Sequence, residues 1–196
     1  MLRKALWVLL AAALASCRTL PGPAPTSMAQ SWEAHRAQLQ ARERFELKGR
    51  VAVAVGTEGF NARLRWTQDG NHTEMSLDGP LGTGGVQVSS DASSISIVNS
   101  RGERLDSEAA RVELKSRLGF DPPLRSLRYW ILGVPEPDQP ARQSLDAQQR
   151  LATLEQDGWH IDYTSYVLVH GEWLPSRLNL QREGVRVRMV VDGWTP

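Results

Sequence analysis

Few residues in this chain have the chemistry of a reactive site. There is one cysteine, Cys17, and there are four histidines, His35, His72, His160 and His170. Nucleophilic catalysis needs a hydroxyl or thiol held against a base, and a bound metal needs several converging N, S or O ligands. His160 and Asp162 share one face of a strand-like segment, but no nucleophile signature lies near them. His35 sits in a charged helical stretch, His72 in a hairpin turn and His170 in the polar turn His170-Gly171-Glu172, so each is read as a surface group. Leu81-Gly82-Thr83-Gly84-Gly85 has the glycines of a phosphate loop but lacks the Lys-Ser/Thr that such a loop requires, and no helix follows it. No enzyme, cofactor or metal site is expected from this inventory.

The surroundings of Cys17 give that residue a different role. Arg3 and Lys4 precede an uncharged apolar run from Ala5 to Ala15, then Ser16 and Cys17. A basic start, a short apolar stretch and small residues before a cut site describe an export signal. The run is too short to span a bilayer, which takes about 20 residues. Leu14-Ala15-Ser16-Cys17 resembles the lipobox of bacterial lipoproteins, which implies that residues 1–16 are removed and that Cys17 becomes a lipidated N-terminus. A single exported cysteine has no internal disulfide to make, which agrees. Each buried methylene of an acyl chain adds about 0.8 kcal/mol, so several chains hold a protein on a membrane almost permanently. Arg18 follows, where enteric lipoproteins retained at the inner membrane carry Asp, so the outer membrane is the expected destination.

Charge adds no partner. Without Arg3 and Lys4 there are 21 basic against 22 acidic residues, and nucleic acid is not expected to bind. The remaining 180 residues suit one domain. Six tryptophans (Trp32, Trp66, Trp130, Trp159, Trp173, Trp194) belong to it and can bury large areas.

The elements follow from spacing. Residues 17–30, rich in proline and small residues, read as a flexible tether. Ser31 can cap a helix from Trp32 to about Arg44. Strands are then expected over 45–55, 60–68, 73–78, 86–88, 94–98 and 103–105, joined by tight turns such as Asp69-Gly70-Asn71. The second alternates cleanly, with Phe60, Ala62, Leu64 and Trp66 on one face. Asp106-Ser107-Glu108 opens a helix to about Leu118, Gly119 to Pro123 breaks it, and a second short helix is expected over Leu124 to Leu132. Residues 135–146 read as a loop. Strands resume over 150–156, 159–163, 173–181 and 185–191. Roughly ten strands are enough to curl one sheet into a barrel. Between two of them, Gly79 to Gly85 predicts a projecting loop with Leu81 at its middle.

Taken together these features resemble the LolB family of outer-membrane lipoprotein receptors. The specific pieces are Pro80-Leu81-Gly82 and Leu127-Arg128-Tyr129-Trp130-Ile131-Leu132-Gly133-Val134-Pro135. Asp192-Gly193-Trp194 is a weaker piece, because the family commonly has Asn before that tryptophan. The resemblance spans essentially the whole chain. It implies a mainly β fold, an incomplete antiparallel β-barrel of about ten to eleven strands with a helical lid and an N-terminal helix, over residues 31–196.

It also implies a function: a monomer on the periplasmic face of the outer membrane, held by the Cys17 lipid, that accepts lipoproteins from the periplasmic carrier LolA and inserts them into the membrane. Pro80-Leu81-Gly82 would engage that membrane. A site for client acyl chains needs apolar area and few polar groups. Phe60, Leu64, Trp66, Met75, Leu77, Ile161, Tyr163 and Met189 are the candidates from the strands, and Leu127, Trp130 and Ile131 those from the lid. The alternative is a structural or assembly lipoprotein that binds a protein partner through the same barrel; it would need no open interior.

Overall fold

The computed structural model describes residues 27–79 and 85–195. Eleven strands form one antiparallel sheet in the order β6-β5-β4-β3-β2-β1-β11-β10-β9-β8-β7. The first half is a meander of β1 (Arg44–Val55), β2 (Glu58–Asp69), β3 (His72–Asp78), β4 (Val86–Ser90), β5 (Ile95–Val98) and β6 (Arg104–Asp106). The second half runs through β7 (Ala141–Leu145), β8 (Leu151–Gln156), β9 (Trp159–Val169), β10 (Glu172–Arg182) and β11 (Val185–Thr195). Pairing of β1 with β11 joins the halves. β6 and β7 stand at the two edges, so the barrel is incomplete, as expected. Between them in sequence come α2 (Ser107–Leu118) and α3 (Leu124–Trp130), while α1 (Ser27–Gln40) precedes β1.

Alternation explains the sheet. On β1, Phe45, Leu47, Val51 and Val53 are buried while the charged residues between them face out; on β2, Ala62, Leu64, Trp66 and Gln68 are buried. These inward faces make one hydrophobic core with Leu114 and Leu118 of α2 and Trp32 and Leu39 of α1. α2 packs on β5 and β6. It ends at Gly119, whose φ of 77° is the left-handed conformation that glycine adopts without penalty.

Several boundaries differ from expectation; among them β9 runs on to Val169, six residues past the alternation read at 159–163. α1 begins at Ser27, inside the stretch read as tether, because the last proline lies at position 25 and Ser27 to Gln30 contains nothing that opposes a helix. It stops at Gln40, because Arg44 is already paired with Asp69 across the β1–β2 ladder. Residues 141–145, read as loop, form β7 against β8. β7 is an edge strand whose side chains are mostly exposed, so no apolar alternation marks it. α3 closes at Trp130 rather than Leu132: Leu132 and Gly133 N–H donate to the Tyr129 and Trp130 carbonyls, an i to i+3 tightening of the last turn.

Asp192-Gly193-Trp194 proves to be a bulge. Lys48 opposes Gly193 while Gly49 opposes Val191, leaving Asp192 as the extra residue. Its carboxylate accepts from Arg50 Nη2 at 2.8 Å and Nε at 3.1 Å. The inserted residue shifts the alternation, so that Trp194 packs on Phe45 with ring centres 5.8 Å apart. Opposite the bulge the backbones approach closely. A Cβ on Gly49 would lie 2.2 Å from the Val190 carbonyl oxygen. Gly49→Ala is therefore expected to cost about 1–3 kcal/mol, the usual penalty of overpacking. Urea unfolding should show a lower midpoint at unchanged slope; an unmoved midpoint would show that the approach can relax freely.

Candidate functional site

Inside the sheet, beneath the two central helices, lies a cavity of about 80 Å³ whose lining residues are all apolar. Phe60, Leu64 and Trp66 of β2 reach it from one strand, Met75 and Leu77 of β3 from the next, and Met189 from β11. Their shared face follows from the register, in which Trp66 opposes Met75 and Leu64 opposes Leu77. From the lid side comes Leu127 of α3.

The structure places the other four expected residues elsewhere. Trp130, Ile131, Ile161 and Tyr163 are buried but do not line the cavity. They belong to the solid part of the core, where a polar network holds the segment after α3. Trp130 Nε1 and the Glu136 N–H both donate to Gln156 Oε1 at 2.8 Å, and Gln156 Nε2 donates to the Glu136 carbonyl at 3.0 Å. Tyr163 OH donates to the Trp130 carbonyl at 2.9 Å, and Ser126 Oγ to Glu136 Oε2 at 2.6 Å. Burial holds the Tyr163 hydroxyl well above its ordinary pKa, so it remains a donor.

Sequence reasoning missed much of the lid-side wall. Leu114 and Leu118 of α2, Phe120, Pro122, Pro123 and Leu124 all line the cavity. The helix residues could have been found, since Leu114 and Leu118 are spaced one turn apart. Trp159 of β9 lines it as well, with Phe120 packed edge-on at 5.6 Å. Its Nε1 is buried without a hydrogen-bond partner.

Above the lid connection opens a second, larger pocket of about 650 Å³ with mixed polar and apolar walls. It shares Leu114, Pro122, Pro123 and Leu124 with the apolar cavity. One wall is the β4–β5 turn. There Asp91 accepts from the backbone N–H groups of Ser93 and Ser94, both at 2.8 Å, and from both serine hydroxyls. These bonds, led by the Ser93 N–H, hold its carboxyl at about pKa 2.

The histidines offer little reactive geometry. His160 Nε2 lies 3.2 Å from Asp162 Oδ1 and His72 Nε2 3.2 Å from Glu74 Oε1, both on partly exposed surface. His35 departs from expectation, because its side chain on α1 is partly buried; burial, with Arg42 nearby, lowers its pKa against the opposing pull of Glu172. Arg42 and Glu172 form a largely buried ion pair that ties the α1–β1 junction to the β9–β10 turn. Among the described residues no group of three His, Cys, Asp or Glu converges as metal ligands would. Cys17 and Pro80-Leu81-Gly82 lie outside the described residues. β3 and β4 pair antiparallel as far as Leu77 and Val86, on either side of residues 79–85 in the sequence.

Comparison with known proteins agrees with this architecture. The family model described as outer membrane lipoprotein LolB matches residues 43–194. The chain is 34% identical over 168 residues to the outer-membrane lipoprotein LolB of Pseudomonas aeruginosa strain PAO1, covering 86% of this chain and 82% of that one. Against the outer-membrane lipoprotein LolB of Stutzerimonas stutzeri strain A1501 it is 30% identical over 185 residues, covering 94% and 88%. Among solved structures, the LolA superfamily protein NE2245 from Nitrosomonas europaea superposes with a TM-score of 0.54 at 11% identity, over 85% of this chain and 92% of that one. A DUF1329 family protein from Desulfovibrio piger gives 0.57 at 8% identity, with the same coverage. At such identities the two structures speak for the fold alone.

Proposed function

The chain belongs to the LolB family of outer-membrane lipoproteins, and from that premise we propose that it receives lipoproteins from a LolA-like periplasmic carrier and passes them into the outer membrane. The observation that carries this reading is the cavity walled only by apolar side chains beneath a helical lid. An acyl chain offers almost no polar handle, so its site must be apolar area sheltered from water. The protein sits on the periplasmic face of the membrane through the Cys17 lipid and acts as a monomer. Pro80-Leu81-Gly82 is its contact with the bilayer during delivery.

The cavity's size sets a condition on the mechanism. A volume of 80 Å³ is room for about three water-sized groups, far less than a long acyl chain occupies. Acceptance must therefore displace the removable wall, which is α2, the Phe120 to Pro123 connection and α3. The opposite wall is an eleven-stranded ladder and does not yield at comparable cost. No energy source is needed if each acceptor binds the acyl chains more favourably than the donor before it, which is a difference of affinities.

The test uses an unlipidated Cys17→Ala form, incubated with LolA carrying a labelled lipoprotein. Label is expected to move to it, leaving LolA empty. Retention of the label on LolA, with the acceptor shown to be folded, would overturn the reading.

A further inference from the structure

Resting on the acyl-chain reading above, we infer that the mixed pocket beside the lid is a second subsite, which holds the polar linker of the client: the acylated N-terminal cysteine and the peptide that follows it. A lipoprotein's acyl chains end in ester and amide groups, and those groups need hydrogen-bond partners once they leave water. The apolar cavity supplies no side-chain oxygen, and its nitrogen-bearing wall residues are two tryptophans, Trp66, whose Nε1 already donates to Gln68, and Trp159. The pocket of about 650 Å³ lies next to it across a shared wall of Leu114, Pro122, Pro123 and Leu124. That wall belongs to the lid, so a ligand that displaces the lid brings the two spaces into one.

The groups around the pocket divide into those already occupied and those still open. Gln68 is spent, because its amide bonds Trp66 Nε1, Thr73 Oγ1 and the Gly70 and His72 carbonyls. Asp91 is spent on Ser93 and Ser94, which makes the β4–β5 turn a fixed wall. Arg125 is ion-paired with the buried Glu136 carboxylate at 2.8 Å. By contrast, Arg111 and Asp121 make no salt bridge among the described residues. Asn71 receives only a long 3.5 Å contact from Arg128 Nη1 on its oxygen, so its Nδ2 donor is available. Two open donors, Arg111 and Asn71, face a linker rich in carbonyl acceptors, while Asp121 can accept from the client's backbone N–H groups. The nearby charges are of both signs, which suits a neutral ester and peptide linker better than a phosphate group.

The test measures binding to the full chain with Cys17→Ala, comparing palmitate, dipalmitoyl phosphatidylglycerol and a synthetic dipalmitoylglyceryl-cysteinyl pentapeptide. The lipopeptide is expected to bind more tightly than the phospholipid, since both carry the same chains. Arg111→Ala combined with Asn71→Ala is expected to weaken the lipopeptide by about ten-fold or more, through the loss of two hydrogen bonds of modest net strength, and to leave palmitate binding where it was. Both residues are exposed, so the variant keeps the fold, which an unchanged thermal midpoint verifies. An equal loss for palmitate and lipopeptide, no loss for either, or a preference for phosphatidylglycerol would overturn the second subsite. If the parent binds neither palmitate nor lipopeptide, the acyl-chain reading itself fails and the subsite with it.

Discussion

Glutamate in place of Leu81 is expected to leave acceptance of a lipoprotein from LolA unchanged and to slow its delivery to membranes by about ten-fold or more. A leucine side chain gains about 1.5–3 kcal/mol on leaving water for an apolar phase. Each 1.4 kcal/mol is about a factor of ten in an equilibrium. A carboxylate forfeits that gain and adds its own cost of leaving water. The effect should be confined to one step, because residues 79–85 lie in sequence between β3 and β4, whereas the described cavity is lined by residues of the strands, the helices and the Phe120 to Pro123 connection. Leu81→Ala should fall between parent and glutamate, which separates lost apolar area from added charge. Acceptance is read by transfer of label from LolA, and delivery by flotation of the labelled client with lipid vesicles. Delivery at the parent's rate by the glutamate variant would remove Leu81 from the mechanism.

The sheet was legible in the sequence where one face is buried and the other is wet. Phe60, Ala62, Leu64 and Trp66 alternate with polar residues because only one side of β2 meets the core. β7 was illegible for the complementary reason: Ala141 to Ser144 are exposed, and their pairing with β8 leaves no imprint on residue type. The same limit governed the site. Ile161 and Tyr163 alternate on β9 just as Leu64 and Trp66 do on β2, yet the former pack solidly and the latter border a void. Alternation reports which side is buried, and whether that side is filled depends on what a distant segment brings against it. Here that segment is Phe120 to Leu124, where two prolines read as a break and in fact form part of the cavity wall. The same blindness applies to Gln156. Its place two residues after Leu154 puts a polar side chain on a buried face, which is a local signal. Its partners Trp130 and Glu136 lie 26 and 20 residues away and could not be inferred from spacing.

That glutamine carries the largest expected effect on stability. Gln156→Leu fills the space with a comparable side chain but removes both halves of the amide. Trp130 Nε1 and the Glu136 N–H then lose their acceptor, and the Glu136 carbonyl loses its donor. Gln156 is only 3% exposed, so water cannot readily replace it. Each buried group left unpaired costs about 1–3 kcal/mol, and two orphaned donors cost about 2–6 kcal/mol together. For a domain of this size each kcal/mol shifts the midpoint by about 2–4 °C, so a fall on the order of 10 °C is expected. Gln156→Glu separates the parts of the network: it keeps the acceptor for Trp130 and Glu136 but cannot donate to the Glu136 carbonyl, and it sets a second carboxylate near that of Glu136. The consequence reaches function, because this network fixes the far end of the segment that begins with α3 and covers the cavity. With that end loosened, amide exchange over residues 124–136 should quicken before the strands exchange. Acyl-chain acceptance should then become faster but less selective for acylated clients, since a displaced lid is already part of the open state. A midpoint within a degree of the parent, with exchange unchanged over 124–136, would mean that the lid is held by its apolar contacts and not by Gln156.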